Sequence, residues 1–346
     1  MTKKRKSNLE LLRLISMFFI VLYHLLLKFI AEIDNSPIYV AMYLPLHVAV
    51  ICFVLISGYF HITPSLCGGF KLCLPLLLYY LPLTLFQLIQ QNIVSLKALF
   101  FFSYSPYWFI RTYFYLFLIA PLLNSYIISR ERRLYLLLIL GFMSLYMGWL
   151  MHDSSMIDGK NLVLFMFIYV LGDSLSYYKE RINKVKTATL IMIYLTLNAV
   201  LIYTYISFAD NIVGKIIFEL SYPYCSPILI LNASLLFLIF SRIHFSSCAI
   251  NWLAGSVFAV YILHHQPLIL YKLIQPCVLY VYRECTSPLI LLTILSFMAL
   301  AILLLGIIVD KLFSPIQNSI LHATNNIIIK YRNRTNKERK RQHIYD

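Results

Sequence analysis

The sequence has 346 residues, 61% of them hydrophobic and only 12% charged, with a mean hydropathy of +0.78. A soluble domain draws about a quarter of its residues from Asp, Glu, Lys and Arg, so these figures exclude an ordinary water-soluble globule and turn the apolar residues toward lipid. The 29 basic against 14 acidic residues, net +15, would point a soluble chain toward nucleic acid. Here the basic clusters flank apolar runs and the aromatic residues lie within them, so nucleic acid is not an expected partner.

Taken in order, apolar stretches long enough to cross a bilayer fall near 12–31, 40–60, 73–92, 107–129, 134–151, 161–178, 188–207, 217–240, 250–273 and 288–310. At about 20 apolar residues per crossing plus a short connection, this length accommodates about ten. Backbone groups in lipid must be satisfied within the segment, and the alternation of barrel strands is absent, so each stretch is expected to be a helix. The fold class is therefore an all-α integral membrane protein, a bundle of about ten transmembrane helices.

The basic start Lys3-Lys4-Arg5-Lys6 followed by an apolar run resembles a secretory signal, but the run is too long and no small-residue cleavage site follows, so an uncleaved first span is expected. With the N-terminus in the cytoplasm, 22 Lys and Arg fall on the inner side against 7 on the outer side, the latter including Lys97. That asymmetry places both termini inside. Residues 1–312 form the expected membrane domain and 313–346 a basic cytoplasmic tail, polar enough from Lys330 to Arg341 to be disordered. There is no internal repeat of fixed period. The seven cysteines show no C-x-x-C pair; Cys277 and Cys285 share an expected loop, where a disulfide is one option.

Ionisable residues within apolar spans are costly and are functional candidates by default. Arg13 and His24 lie eleven residues apart in the first span; at 100° per residue they differ by only about 20° around the helix and by roughly 16 Å along it. Both point the same way, Arg13 at the cytoplasmic boundary and His24 near mid-membrane. Alone, a helical His is commonly a packed, hydrogen-bonded residue and a boundary Arg commonly snorkels. His47, Arg111, Asp173 and Glu219 are read as interhelical or interfacial polar contacts, and Ser57-Gly58 as a close-packing contact. No G-x-x-x-x-G-K-[ST] loop, H-E-x-x-H motif or paired cysteine spacing is present, so no bound metal or cofactor is expected.

The stretch from Asn8-Leu9-Glu10-Leu11-Leu12-Arg13 through Tyr23-His24 resembles the opening of the membrane-bound acyltransferase family 3, with Glu10 where that family usually has Asp. The resemblance continues through Phe53 to Ser57-Gly58-Tyr59-Phe60, Tyr107-Trp108-Phe109 with Pro121, Tyr169 to Gly172, and Ser256 to Tyr261-Ile262-Leu263-His264 with Pro267. One departure stands out. Where family members often carry two arginines before a Leu/Ile-x-Pro, this chain reads Phe70-Lys71-Leu72-Cys73-Leu74-Pro75, so Lys71, with Arg130 or Arg133, would have to serve, and Lys lacks the bidentate fork.

The resemblance implies acyl transfer, commonly acetyl from acetyl-CoA, to a hydroxyl of a cell-surface or secreted polysaccharide or its lipid-linked precursor, in a bacterial cytoplasmic membrane. It assigns His24 as base or acyl carrier, Arg13, Glu10 and Lys71 to the acyl donor, and Ser57, Trp108, Tyr261 and His264 to the cavity. His264 either lines that cavity or bonds between helices; His265, 100° further round the helix, is expected to face elsewhere. Acyl-CoA, glycan, membrane lipid and separate glycan-assembly proteins are the implied partners. A multi-pass carrier for a lipid-linked glycan is the alternative from another class, although the paired interrupted helices of inverted repeats are absent.

Overall fold

The computed structural model describes residues 5–31, 33–34, 36–90, 107–153 and 157–342, with 331–342 as backbone alone. Lys3, Lys4, Lys97 and the last two residues of the expected 73–92 span lie outside them. Among the described residues every regular element is helical. The principal helices are α1 Ser7–Ile30, α2 Pro37–Phe60, α3 Leu66–Gln90, α4 Trp108–Tyr126, α5 Arg130–Leu150, α6 Leu162–Tyr177, α7 Thr187–Phe208, α8 Ile212–Ser221, α9 Pro227–Arg242, α10 Cys248–His265, α11 Gln275–Glu284 and α12 Pro288–Gln342.

Seven of these are long and apolar enough to cross a membrane: α1, α2, α3, α5, α7, α10 and α12. α6 and α9 are apolar but shorter, at 16 residues each. α4 has 19 residues but carries Arg111, Asn124 and Pro121. The apolar surface confirms the solvent for which the chain is built. In α7, a 22-residue apolar helix, only Leu190 and Leu201 are buried, so one face packs on its neighbours and the rest is left for lipid.

Proline sets several boundaries differently from the apolar runs. The expected 217–240 span is two helices, because Pro223 and Pro227 remove backbone donors at the break; the Ser226 side chain caps the start of α9 by accepting from Leu229 N–H. The expected 250–273 span ends at His265. Pro267 pushes Gln266 out of helical geometry to φ −66°, ψ 126°, and the Gln266 side chain accepts from Leu268 N–H and Ile269 N–H. Cys277 lies within α11 and Cys285 just beyond it, and both are free thiols, so the loop disulfide does not form. The tail expected to be disordered continues α12 as helix through Pro315 to Gln342, across the boundary placed at 312.

α1 runs through the centre, with Leu9, Leu12, Leu25 and Leu26 fully buried. At its start Asn8 donates to Phe240 O of α9 and Arg5 to Asn251 O of α10. α2 and α6 approach so closely that a Cβ on Gly58 would fall on the Tyr169 carbonyl, and one on Gly172 on that of Leu55. These two glycines therefore set the spacing of α2 and α6. Polar ties reach across other pairs: Asn198 and Asn232 exchange amide hydrogen bonds at 3.0 and 2.9 Å, and Tyr79 donates to Asp310 at 2.8 Å.

Candidate functional site

Arg13, Met17, Ile20 and His24 follow at intervals of four, three and four, the repeat that keeps side chains on one helix face. That face turns inward. Arg13, Met17 and Ile20 line a cavity of about 250 Å³ together with Ser57, Tyr113 and Tyr261. Ile20 and His24 line a second, of about 30 Å³, with His47, Trp108, Tyr224 and His265; that is room for about two waters. Ile20, Phe109 and Tyr261 border both cavities. One layer of side chains separates the two cavities.

In the larger cavity Arg13 donates to Glu10 Oε1 at 2.9 Å, one helical turn back, while Glu10 Oε2 is buried without a partner. Glu10 thereby aims the guanidinium and leaves most of its five donors uncommitted to that carboxylate. Ser57 Oγ donates to its own helix at Phe53 O, 2.9 Å away, and meets Tyr113 OH at 3.1 Å. Lys71 is exposed on α3 and does not line the cavity, although its neighbour Leu72 does. Arg133 is not available there either: it is buried in an ion pair with Asp173, which also bonds His61 Nε2 at 2.6 Å. Asp173 is thus an interhelical contact, and Glu219 pairs with His152 near the far end of α5.

Beside the smaller cavity three imidazoles meet. His24 Nδ1 lies 3.0 Å from His264 Nε2, and His24 Nε2 lies 3.2 Å from His265 Nε2. His264 Nδ1 donates to Val260 O at 2.8 Å. His264 lines neither cavity; it stands behind His24. The expectation that His265 faces elsewhere is overturned for a simple reason. An imidazole presents nitrogens on two edges, so a ring placed between consecutive side chains bonds both despite their 100° separation. Among the described residues these rings form the one His, Cys or acid group with candidate ligand atoms within 4.8 Å of one another. Both nitrogens of His24 face partner rings, whereas a metal at about 2.0–2.1 Å would take one nitrogen from each.

Local backbone irregularities aim these side chains. Immediately after Leu25 the helix widens into a π-turn, Leu26–Ile30, a form that recurs at functional sites. Across the cavity Pro45 lies in a 3₁₀ turn, Leu44–Val48, which carries His47. His47 stacks between Tyr23 and Tyr222, at 4.9 and 4.8 Å, and packs on Tyr224 at 4.1 Å. Trp108 closes the same wall, 5.2 Å from Tyr224.

A family model for the acyltransferase domain, that of acyltransferase family 3, matches residues 6–309. The chain belongs to this family. No curated protein and no solved structure matches it. With its long apolar helices, membership makes this a multi-pass membrane acyltransferase.

Within the acyltransferase, the motif residues Arg13 and Ser57 border the larger cavity, His24 and Trp108 the smaller, and Tyr261 both. Sequence reasoning missed His265, His47, Tyr23 and Tyr224 as cavity residues. A signal existed for two of them: His47 follows a proline within an apolar span, and His265 precedes one at the end of another.

Proposed function

We propose that this family member transfers an acyl group, acetyl before any other, from cytoplasmic acyl-CoA to a hydroxyl of a cell-surface or secreted polysaccharide or its lipid-linked precursor, within a bacterial cytoplasmic membrane. The observation that supports it is the inward stripe of α1, which sets a guanidinium in one cavity and an imidazole in the next, the two cavities sharing a wall. A phosphate-bearing donor suits the Arg13 side, since guanidinium pairs with phosphate oxygens bidentately. The thioester end reaches toward Tyr261. A sugar hydroxyl is a weak nucleophile near neutral pH and needs a positioned base, and His24 fills that role or carries the acyl group itself. Lys71, exposed on α3 next in sequence to the larger cavity's Leu72, would meet only an outlying part of the donor. The smaller cavity, with room for about two waters, suits a sugar hydroxyl rather than a whole ring, and separate glycan-assembly proteins would supply the glycan.

The test is deletion of the gene followed by comparison of the host's surface glycan by mass spectrometry and proton NMR. An ester absent after deletion, restored by the wild-type gene and not by His24→Ala, is the expected result. An unchanged glycan, or full restoration by His24→Ala, refutes the proposal.

A further inference from the structure

The geometry points to His265 as the residue that meets the acceptor hydroxyl, and to a relay of three imidazoles that carries its proton inward to His24. The inference rests on the acyltransferase reading above and selects its base route over the acyl-imidazole.

The wiring follows from the buried end. A backbone carbonyl only accepts, so His264 Nδ1, 2.8 Å from Val260 O, carries the hydrogen. A neutral ring has one N–H, so His264 Nε2 is bare and accepts from His24 Nδ1–H at 3.0 Å. His24 Nε2 is then bare in turn and accepts from His265 Nε2–H at 3.2 Å. That leaves the lone pair of His265 Nδ1, which is the one ring nitrogen of the three that is buried without a partner. Every N–H in the chain points toward Val260. His265 borders the small cavity, and His264 does not. His265 Nδ1, buried and unpartnered, is therefore the nitrogen left for an acceptor hydroxyl, both nitrogens of His24 being engaged.

His47 Nδ1 is also buried, unpartnered and on the same cavity, but its ring packs among Tyr23, Tyr222 and Tyr224 and, among the described residues, meets no second imidazole. A ring enclosed by phenols has no further base to which it can pass a proton. His47 suits a second, non-reacting hydroxyl of the acceptor. Only His265 is joined to further bases.

In the step itself the acceptor O–H bond breaks and an N–H bond forms at His265 Nδ1. The His265 Nε2 proton passes to His24 Nε2, leaving His265 neutral and His24 an imidazolium held by His264. The alkoxide adds to the carbonyl carbon of the acyl thioester, and the tetrahedral adduct expels the thiolate. The proton returns from His24 Nε2 through His265 to that thiolate, so alcohol and thioester become ester and thiol with no other reactant.

The test uses the full chain in lipid nanodiscs with acetyl-CoA and glycan isolated from the deletion host. In H265Q the glutamine amide still donates toward His24 Nε2 but relays no proton, so a merely structural His265 tolerates it. The expected result is a kcat at least about 100-fold lower, the low end for a lost general base, with KM for acetyl-CoA within about twofold of wild type. H265Q turning over at the wild-type rate overturns the relay alone. A wild-type chain that moves no acetyl to the glycan overturns the acyltransferase reading, and the relay with it. A measurement independent of activity and of the variant's folding is two-bond ¹H–¹⁵N NMR of histidine-labelled wild type, expected to show His24 and His264 protonated at Nδ1 and His265 at Nε2. A His265 protonated at Nδ1, or one zinc ion per chain bound by the three rings, refutes the wiring.

Discussion

Arg13 has a neighbour that a snorkelling arginine does not need. Its bond to the buried Glu10 at 2.9 Å holds the guanidinium against the cavity wall, so loss of the arginine should act on donor affinity. Arg13→Ala is expected to raise KM for acetyl-CoA about 10- to 100-fold, the worth of one or two hydrogen bonds to a charged group, while leaving kcat within a few-fold; steady-state kinetics on membranes check it. Arg13→Lys should recover little of this, because an ammonium has no fork with which to span Glu10 and a phosphate. Both Arg13 and His24 were legible in the sequence, since an ionisable side chain in an apolar run needs a protein partner. His265 was not, because helical angles say where a side chain leaves its helix and not that one ring offers two edges. His47 was read only as a polar contact, for its partners Tyr222 and Tyr224 lie far along the chain and reach it only through the break between α8 and α9.

At the scale of helices, apolar run length identified the segments but proline decided where several stop. Pro223 and Pro227 divide one expected span, and Pro267 ends α10 just after His265. No count of apolar residues contains this information, whereas the proline positions do. The contact of α2 with α6 depends on Gly58 and Gly172, where any Cβ meets backbone carbonyl. Gly58→Ala is expected to cost about 1–3 kcal/mol by forcing the helices apart, seen as a lower thermal unfolding midpoint in detergent, and to reduce activity because Ser57 borders the Arg13 cavity. Another contact gives a pH signature. Glu219 holds the exposed His152, outside the spans, above the ordinary imidazole value through a 3.2 Å hydrogen bond. A raised folded-state value means the stabilisation is complete below about pH 6.5 and disappears as pH rises through the higher folded value. Glu219→Gln should therefore lower the unfolding midpoint slightly at pH 6 and not at pH 9, the effect being small because both side chains are about half exposed.

Across the whole molecule, the two cavities imply a division of access. On the proposed function, a donor entering beside Arg13 and an acceptor entering beside His47 would meet at the layer made by Ile20, Phe109 and Tyr261, which borders both cavities. Tyr261 is buried and packs 5.7 Å from Phe109 and 5.3 Å from His265 by ring centroids, so the same ring closes the donor cavity and supports the histidines. In the proposed reaction such a layer would keep water from the thioester, since a closed site suppresses hydrolysis. Tyr261→Ala removes most of the partition and joins the cavities. The expected outcome is an increase in thiol release from acetyl-CoA without glycan, together with a fall in ester formed per thiol released, both followed in nanodiscs with a thiol reagent and by mass spectrometry. Tyr261→Phe keeps the ring and should stay coupled. If Tyr261→Ala loses transfer without gaining hydrolysis, the ring is a support for His265 rather than a partition, and donor and acceptor must meet by another route.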